Sequence, residues 1–85
     1  MEKLKTSKAN AQPEPKAGQI WVEMDPRDER YVVIERVCTG QPPFVKVRRV
    51  NADGSAWPKS RSLDAMTSRF RGQRGGYAIH FNPEQ

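Results

Sequence analysis

The run Tyr31-Val32-Val33-Ile34-Glu35-Arg36-Val37-Cys38 contains neither glycine nor proline and is dominated by β-branched and aromatic residues. Such a run fits a pleated, half-buried surface and is the strongest strand signal in the chain. Strict alternation places Val32, Ile34, Arg36 and Cys38 on one side and Tyr31, Val33, Glu35 and Val37 on the other. Neither side is purely apolar. This predicts a long, bent strand whose parity shifts midway at a bulge.

Further strand signals flank it. Gly18-Gln19-Ile20-Trp21-Val22-Glu23-Met24-Asp25-Pro26 opens on glycine and closes on an Asp-Pro turn, and reads as a first strand. Ile20, Val22 and Met24 share one face of it, while Trp21 and Glu23 share the outer one, where the N-terminal arm or a later loop is expected to cover the indole. Downstream, Phe44-Val45-Lys46-Val47-Arg48-Arg49-Val50 alternates, with Val45 and Val47 facing one way and Phe44, Lys46 and Arg48 the other. Asn51-Ala52-Asp53-Gly54 follows as a hairpin signal, because Asp and Gly tolerate positive φ. The expected partner strand is Ala56–Leu63, although Pro58 cannot donate to a ladder and points to an edge or a bulge. Leu63, Met66 and Phe70 recur at helical spacing, so Asp64–Phe70 reads as one or two helical turns, α or 3₁₀. Tyr77–Phe81 is the last expected strand.

The reading is therefore all-β: about five antiparallel strands with a short helical turn before the last. That order is the order of an SH3-like barrel, with a five-strand OB-type barrel as the alternative. Residues 1–16 carry Lys, Ala, Ser, Asn and Pro without an apolar period and are expected to be a disordered arm. The barrel is expected to span residues 17–82, with 83–85 as a frayed end.

An 85-residue chain allows one domain and leaves little room for a deep cavity. The lone cysteine, Cys38, cannot form an internal disulfide, and one cysteine with one histidine offers no metal-ligand spacing, so neither metal nor cofactor is expected. The start Met-Glu-Lys-Leu-Lys lacks an apolar run, and nothing approaches the length of a membrane span, so a cytoplasmic location is expected. His80 is the sole histidine and shows no partner for general-base work, so no catalytic constellation is legible and a non-enzymatic protein is expected.

Charge carries the functional signal. The net charge is +5, and it is uneven: residues 42–85 hold eight basic groups against three acids, whereas residues 17–41 hold three against five. Such a field steers polyanions. Lys46, Arg48, Lys59, Arg61, Arg71 and Arg74 are the candidate phosphate contacts, with Phe44 and Trp57 as aromatic contacts at the margins. Phosphates need the charge and unstacked bases need a π face. If Phe44–Val50 pairs with Ala56–Leu63, Lys46 and Arg48 share a face with Lys59 or Arg61. Arg71-Gly72-Gln73-Arg74-Gly75-Gly76 would add a flexible Arg/Gly loop.

Two resemblances accompany these residues. The pattern Gly18-Gln19-Ile20-Trp21, then Asp25, Arg27 and Arg30, a valine-rich strand, Arg69-Phe70 and Gly76-Tyr77 resembles small bacterial and phage proteins of SH3-like fold. It implies that fold and no activity. The opening Gly18–Pro26 is also similar to that of the MazF/PemK ribonuclease toxins, which implies an SH3-like barrel and a loop arginine at Arg30. The proline those toxins carry after that arginine is missing here, as is their C-terminal helix. The expected function is a nucleic-acid-binding module, with a protein-interaction adaptor or a ribonuclease as alternatives.

Overall fold

A computed structural model describes residues 12–25, 29–72 and 75–83. It is all-β. Strands β1 (Ile20–Glu23), β2 (Tyr31–Cys38), β3 (Phe44–Val50), β4 (Leu63–Met66) and β5 (Tyr77–Phe81) form one antiparallel sheet. A 3₁₀ turn at Thr67–Arg69 precedes β5. The strand order is β4-β3-β2-β1-β5. The two ends of that order meet in one core, because Ala65 of β4 and Tyr77 of β5 pack in the same cluster as Trp21, Ile34, Val45, Val47 and Phe70. The sheet therefore curls around Phe70.

The bulge expected in the valine-rich strand is present. Ile34 pairs with Val47 but Arg36 pairs with Lys46, which leaves Glu35 as the extra residue. Before the bulge Val32 and Ile34 are buried, and after it Glu35, Arg36 and Val37 are exposed. Val45 and Val47 face the core, as their alternation predicts.

Trp21 departs from expectation. It does not lie on the outer face of β1 but at the centre of the core, fully buried. Its ring meets Phe70 edge-on at 5.0 Å, and Phe70 stacks on Tyr77 at 4.7 Å. Ile20 is buried on the opposite face, beside the turn at Gly54, where a β-carbon would come within 3.2 Å of the Ile20 side chain. Both faces of β1 are thus covered, and Met24 is exposed instead. The indole N–H is satisfied inside the core by Gln19 Oε1 at 3.0 Å. The Gln19 amide also binds the chain before β1: Oε1 accepts from the Lys16 amide at 2.8 Å, and Nε2 donates to the Glu14 carbonyl at 3.0 Å. Gln12 reaches the β5 edge, where its Oε1 accepts from the Ile79 amide at 2.7 Å. This places the described end of the expected arm, residues 12–16, against the sheet; residues 1–11 lie outside the described residues.

The fourth strand also lies downstream of its expected place. The hairpin turn forms, with the Gly54 amide donating to the Asn51 carbonyl and the Asn51 amide to the Ser55 carbonyl. Ala56 then makes only an isolated bridge to Val50. The chain leaves the ladder at Trp57-Pro58 and returns at Leu63, which pairs with Val47. Pro58 cannot donate to β3, so the departure begins where the sequence forbids a ladder bond. Of the segment read as helical, only the second half turns as expected, at Thr67–Arg69; its first half belongs to an edge strand, in which Ala65 points into the core while Leu63 and Met66 are exposed. Only Phe70 of that triplet is buried.

Candidate nucleic-acid interface

The excursion at residues 57–62 creates the site. The Ser60 amide donates to the Trp57 carbonyl at 3.2 Å, and Lys59 sits at φ +61°. Proline second and positive φ third is the pattern of a type II turn, in which glycine usually takes the third place. On the side away from the core, Arg48 holds this turn. Its guanidinium donates to the Ser60 carbonyl at 2.9 Å and to Ser62 Oγ at 3.3 Å, and its Nε pairs with Glu35 at 2.7 Å. Ser62 in turn donates to the other oxygen of Glu35. The Ser62 bond first, and then Arg48, hold the Glu35 carboxyl below its ordinary range.

Facing the core side, the turn closes a cleft of about 520 Å³ against the ends of β1, β2 and β5. Its floor is Val32, Val47 and Ala65. Its walls carry five cationic side chains, Arg30, Arg49, Lys59, Arg61 and Arg69, against the carboxylate of Glu23; Asp64 also lines it, but its carboxylate pairs with Lys46, which does not. Arg49 lies over the face of Trp57, with its guanidinium carbon 3.8 Å from the ring centroid. The Arg49 Nε is buried there with no hydrogen-bond partner among the described residues. Glu23 lies between Arg69 at 3.6 Å and Arg30 at 4.0 Å. Arg69 also donates to the Gly75 carbonyl at 2.9 Å and lies 4.8 Å from the Tyr77 ring centroid. Burial pushes the Tyr77 phenol up, against the opposing effect of the Arg69 guanidinium beside it.

The residues singled out from the sequence fall in different places. Lys59, Arg61 and Trp57 line the cleft together. Lys46 and Arg48 do not share their face, because β3 pairs with Leu63–Met66 rather than with Ala56–Leu63. Lys46 sits opposite Asp64 and pairs with it at 2.7 Å, and Arg48 is engaged with Glu35. Phe44 lies at the other end of β3, opposite Cys38 and Met66, with Lys46 Nζ 5.8 Å from its ring centroid. Arg71 is exposed and outside the cleft lining, and Arg74 lies outside the described residues. Arg49, Glu23 and Tyr77 join the cleft without standing out as site residues in the sequence. Arg49 was within reach of the sequence, since it continues the inward alternation of Val45 and Val47.

No protein-family model, curated protein or solved structure matches this chain. The functional reading therefore rests on the cleft. Among the described residues no three of His, Cys, Asp and Glu cluster as metal ligands, and no helix is long and apolar enough to cross a membrane.

Proposed function

We propose that the protein is a non-enzymatic nucleic-acid-binding module that takes its ligand in the cleft closed by the Trp57–Ser62 turn. One observation carries this reading: an arginine-backed tryptophan stands among an excess of cationic groups, in a concave site. Guanidinium groups pair with phosphate through two parallel N–H donors, and aromatic rings take bases. Lys59, Arg61 and Arg49 are the principal contacts, with Arg71 as an outlying one. The strand order, with a 3₁₀ turn before the last strand, supports reading the curled sheet as an SH3-like barrel.

Fluorescence anisotropy with labelled oligonucleotides over a salt series tests the proposal. If three cleft cations each neutralise a phosphate of a single strand, affinity falls about 20-fold between 50 and 200 mM salt. Arg61→Ala lowers the slope of log K against log salt by about 0.7. Binding that is absent, or flat against salt, overturns the reading. Cleavage of single-stranded RNA by the purified protein would replace it with a ribonuclease. Capture of a defined protein partner that survives nuclease treatment would replace it with an adaptor.

A further inference from the structure

We propose that the cleft selects single-stranded over duplex nucleic acid by seating one unstacked base on the open face of Trp57. This rests on the nucleic-acid reading above and specifies its ligand. Arg49 occupies one face of the indole, so only the opposite face is left for a second planar group, and 38% of the residue remains exposed. The ring is held in advance of binding. The Trp57–Ser60 hydrogen bond closes the turn beneath it, Arg48 fixes the backbone at Ser60, and the Arg49 stack fixes the indole plane. A base that lands on a fixed ring does not have to order it, and that lowers the entropic cost of binding.

The shape of the site argues against a duplex. The cleft is a concavity of about 520 Å³ between a turn and strand ends, within the size range of small-ligand pockets. Bases in a duplex are paired and stacked, so their faces cannot reach a ring set into such a wall; bases of a single strand can be splayed out onto it. The charge layout agrees. Lys59 and Arg61 are exposed on the turn beside Trp57, suited to phosphates that stay in solvent. Glu23 is less exposed than the two arginines that flank it, its side chain at 22% against 52% for Arg30 and 39% for Arg69. A carboxylate there repels phosphate and accepts from the N–H groups of a base. The site therefore directs the backbone along the turn and the base inward.

The test compares twelve-nucleotide single strands, oligo-dT and oligo-rU, with a blunt twelve-base-pair duplex, by anisotropy at matched salt concentrations over the same salt series. The strands are expected to bind the more tightly, and to quench tryptophan emission. Trp21 is fully buried, so the quenched signal belongs to Trp57. Trp57→Ala is expected to weaken strand binding by about five- to 150-fold, the range for loss of one base–aromatic stack. It should leave the salt slope unchanged, because a stack releases no counterions. Trp57→Phe should retain most of the affinity. Emission from Trp21 reports that both variants are folded. A duplex bound as tightly as the strand, or a Trp57→Ala variant with unchanged affinity, overturns this inference and leaves the nucleic-acid reading standing. Failure to bind either ligand overturns both.

Discussion

Gln19→Leu tests how the core tolerates the one polar side chain that is fully buried among the described residues. Gln19 is 1% exposed, and its Oε1 is the acceptor for the indole N–H of Trp21 in the centre of the core. Leucine has nearly the same volume, so the substitution leaves little cavity but strips the indole of its partner. An orphaned buried donor costs about 1–3 kcal/mol. The Lys16 amide and the Glu14 carbonyl also lose their bonds, but both residues are exposed and water replaces Gln19 there, at no more than about 1 kcal/mol each. We expect a total near 3 kcal/mol. A core this small supplies only about 3–5 kcal/mol, so the variant should lie close to its unfolding midpoint in plain buffer. Urea melts are therefore run in trimethylamine N-oxide, which strengthens burial in parent and variant alike, and are followed by far-UV circular dichroism. The decisive measurement repeats Gln19→Leu in a Trp21→Phe background. Phenylalanine has no N–H to orphan, so the cost of Gln19→Leu should there fall by about 1–3 kcal/mol. Coupling below about 0.5 kcal/mol refutes the argument, because it would mean that the amide holds residues 14–16 and does nothing for the indole.

Two further predictions concern the Glu35–Arg48–Ser62 network. The folded pKa of Glu35 is depressed from its ordinary 4.5, first by Ser62 and then by Arg48, so its contribution is present above the unfolded pKa and is lost as pH falls through the folded one. Urea midpoints recorded from pH 6 down to pH 2.5 should fall on acidification, and the fall should be shallower in Glu35→Gln. Arg48→Ala breaks an ion pair whose two side chains are 40% and 33% exposed, so losing the pair should cost little stability. Hydrogen exchange at the Ser60 amide should nevertheless speed up markedly, since Arg48 holds the carbonyl of that residue; unchanged exchange would mean that the turn stands on its own.

The strands that the sequence reveals directly are those whose patterns are local. Tyr31–Cys38, Phe44–Val50 and Tyr77–Phe81 are found at their expected bounds, and the mixed faces of the first of these do reflect a bulge. β4 was not legible, because its strand character comes from the free edge of β3. Its own residues place Leu63, Met66 and Phe70 at helical spacing, and only Ala65 is left to face inward. The position of Trp21 is hidden for another reason. Alternation separates the two faces of a strand but does not say which is inner when both are covered, and β1 is covered by the core on one side and by the Gly54 turn on the other. The site was half legible. Trp57, Lys59 and Arg61 are near neighbours in sequence, so their residue types alone bring them together. Glu23, Arg30 and Tyr77 reach the cleft only because the sheet curls, and no spacing in the chain encodes that.

Lys59 is where local preference and structure disagree most openly, and the disagreement bears on function. It holds φ +61° at the turn position that glycine fills without strain. For a residue with a β-carbon, this conformation costs roughly 1–2 kcal/mol. Lys59→Gly removes that strain but gives the unfolded chain more freedom, which returns about 0.4–1 kcal/mol. The net expectation is a protein as stable as the parent, or more stable by up to about 1.6 kcal/mol. Lys59→Ala keeps the strain and removes the same charge, so it should be the less stable of the two. If the lysine is retained for its charge beside Trp57, both variants should lose nucleic-acid affinity equally, with a salt slope reduced by about 0.7, whatever their stability. Paired urea melts and salt titrations separate the two effects. A Lys59→Gly variant less stable than Lys59→Ala would refute the backbone argument, and affinity unchanged in both would refute the functional one. A position that gains stability while losing binding is where a chain accepts strain to keep a charge in place.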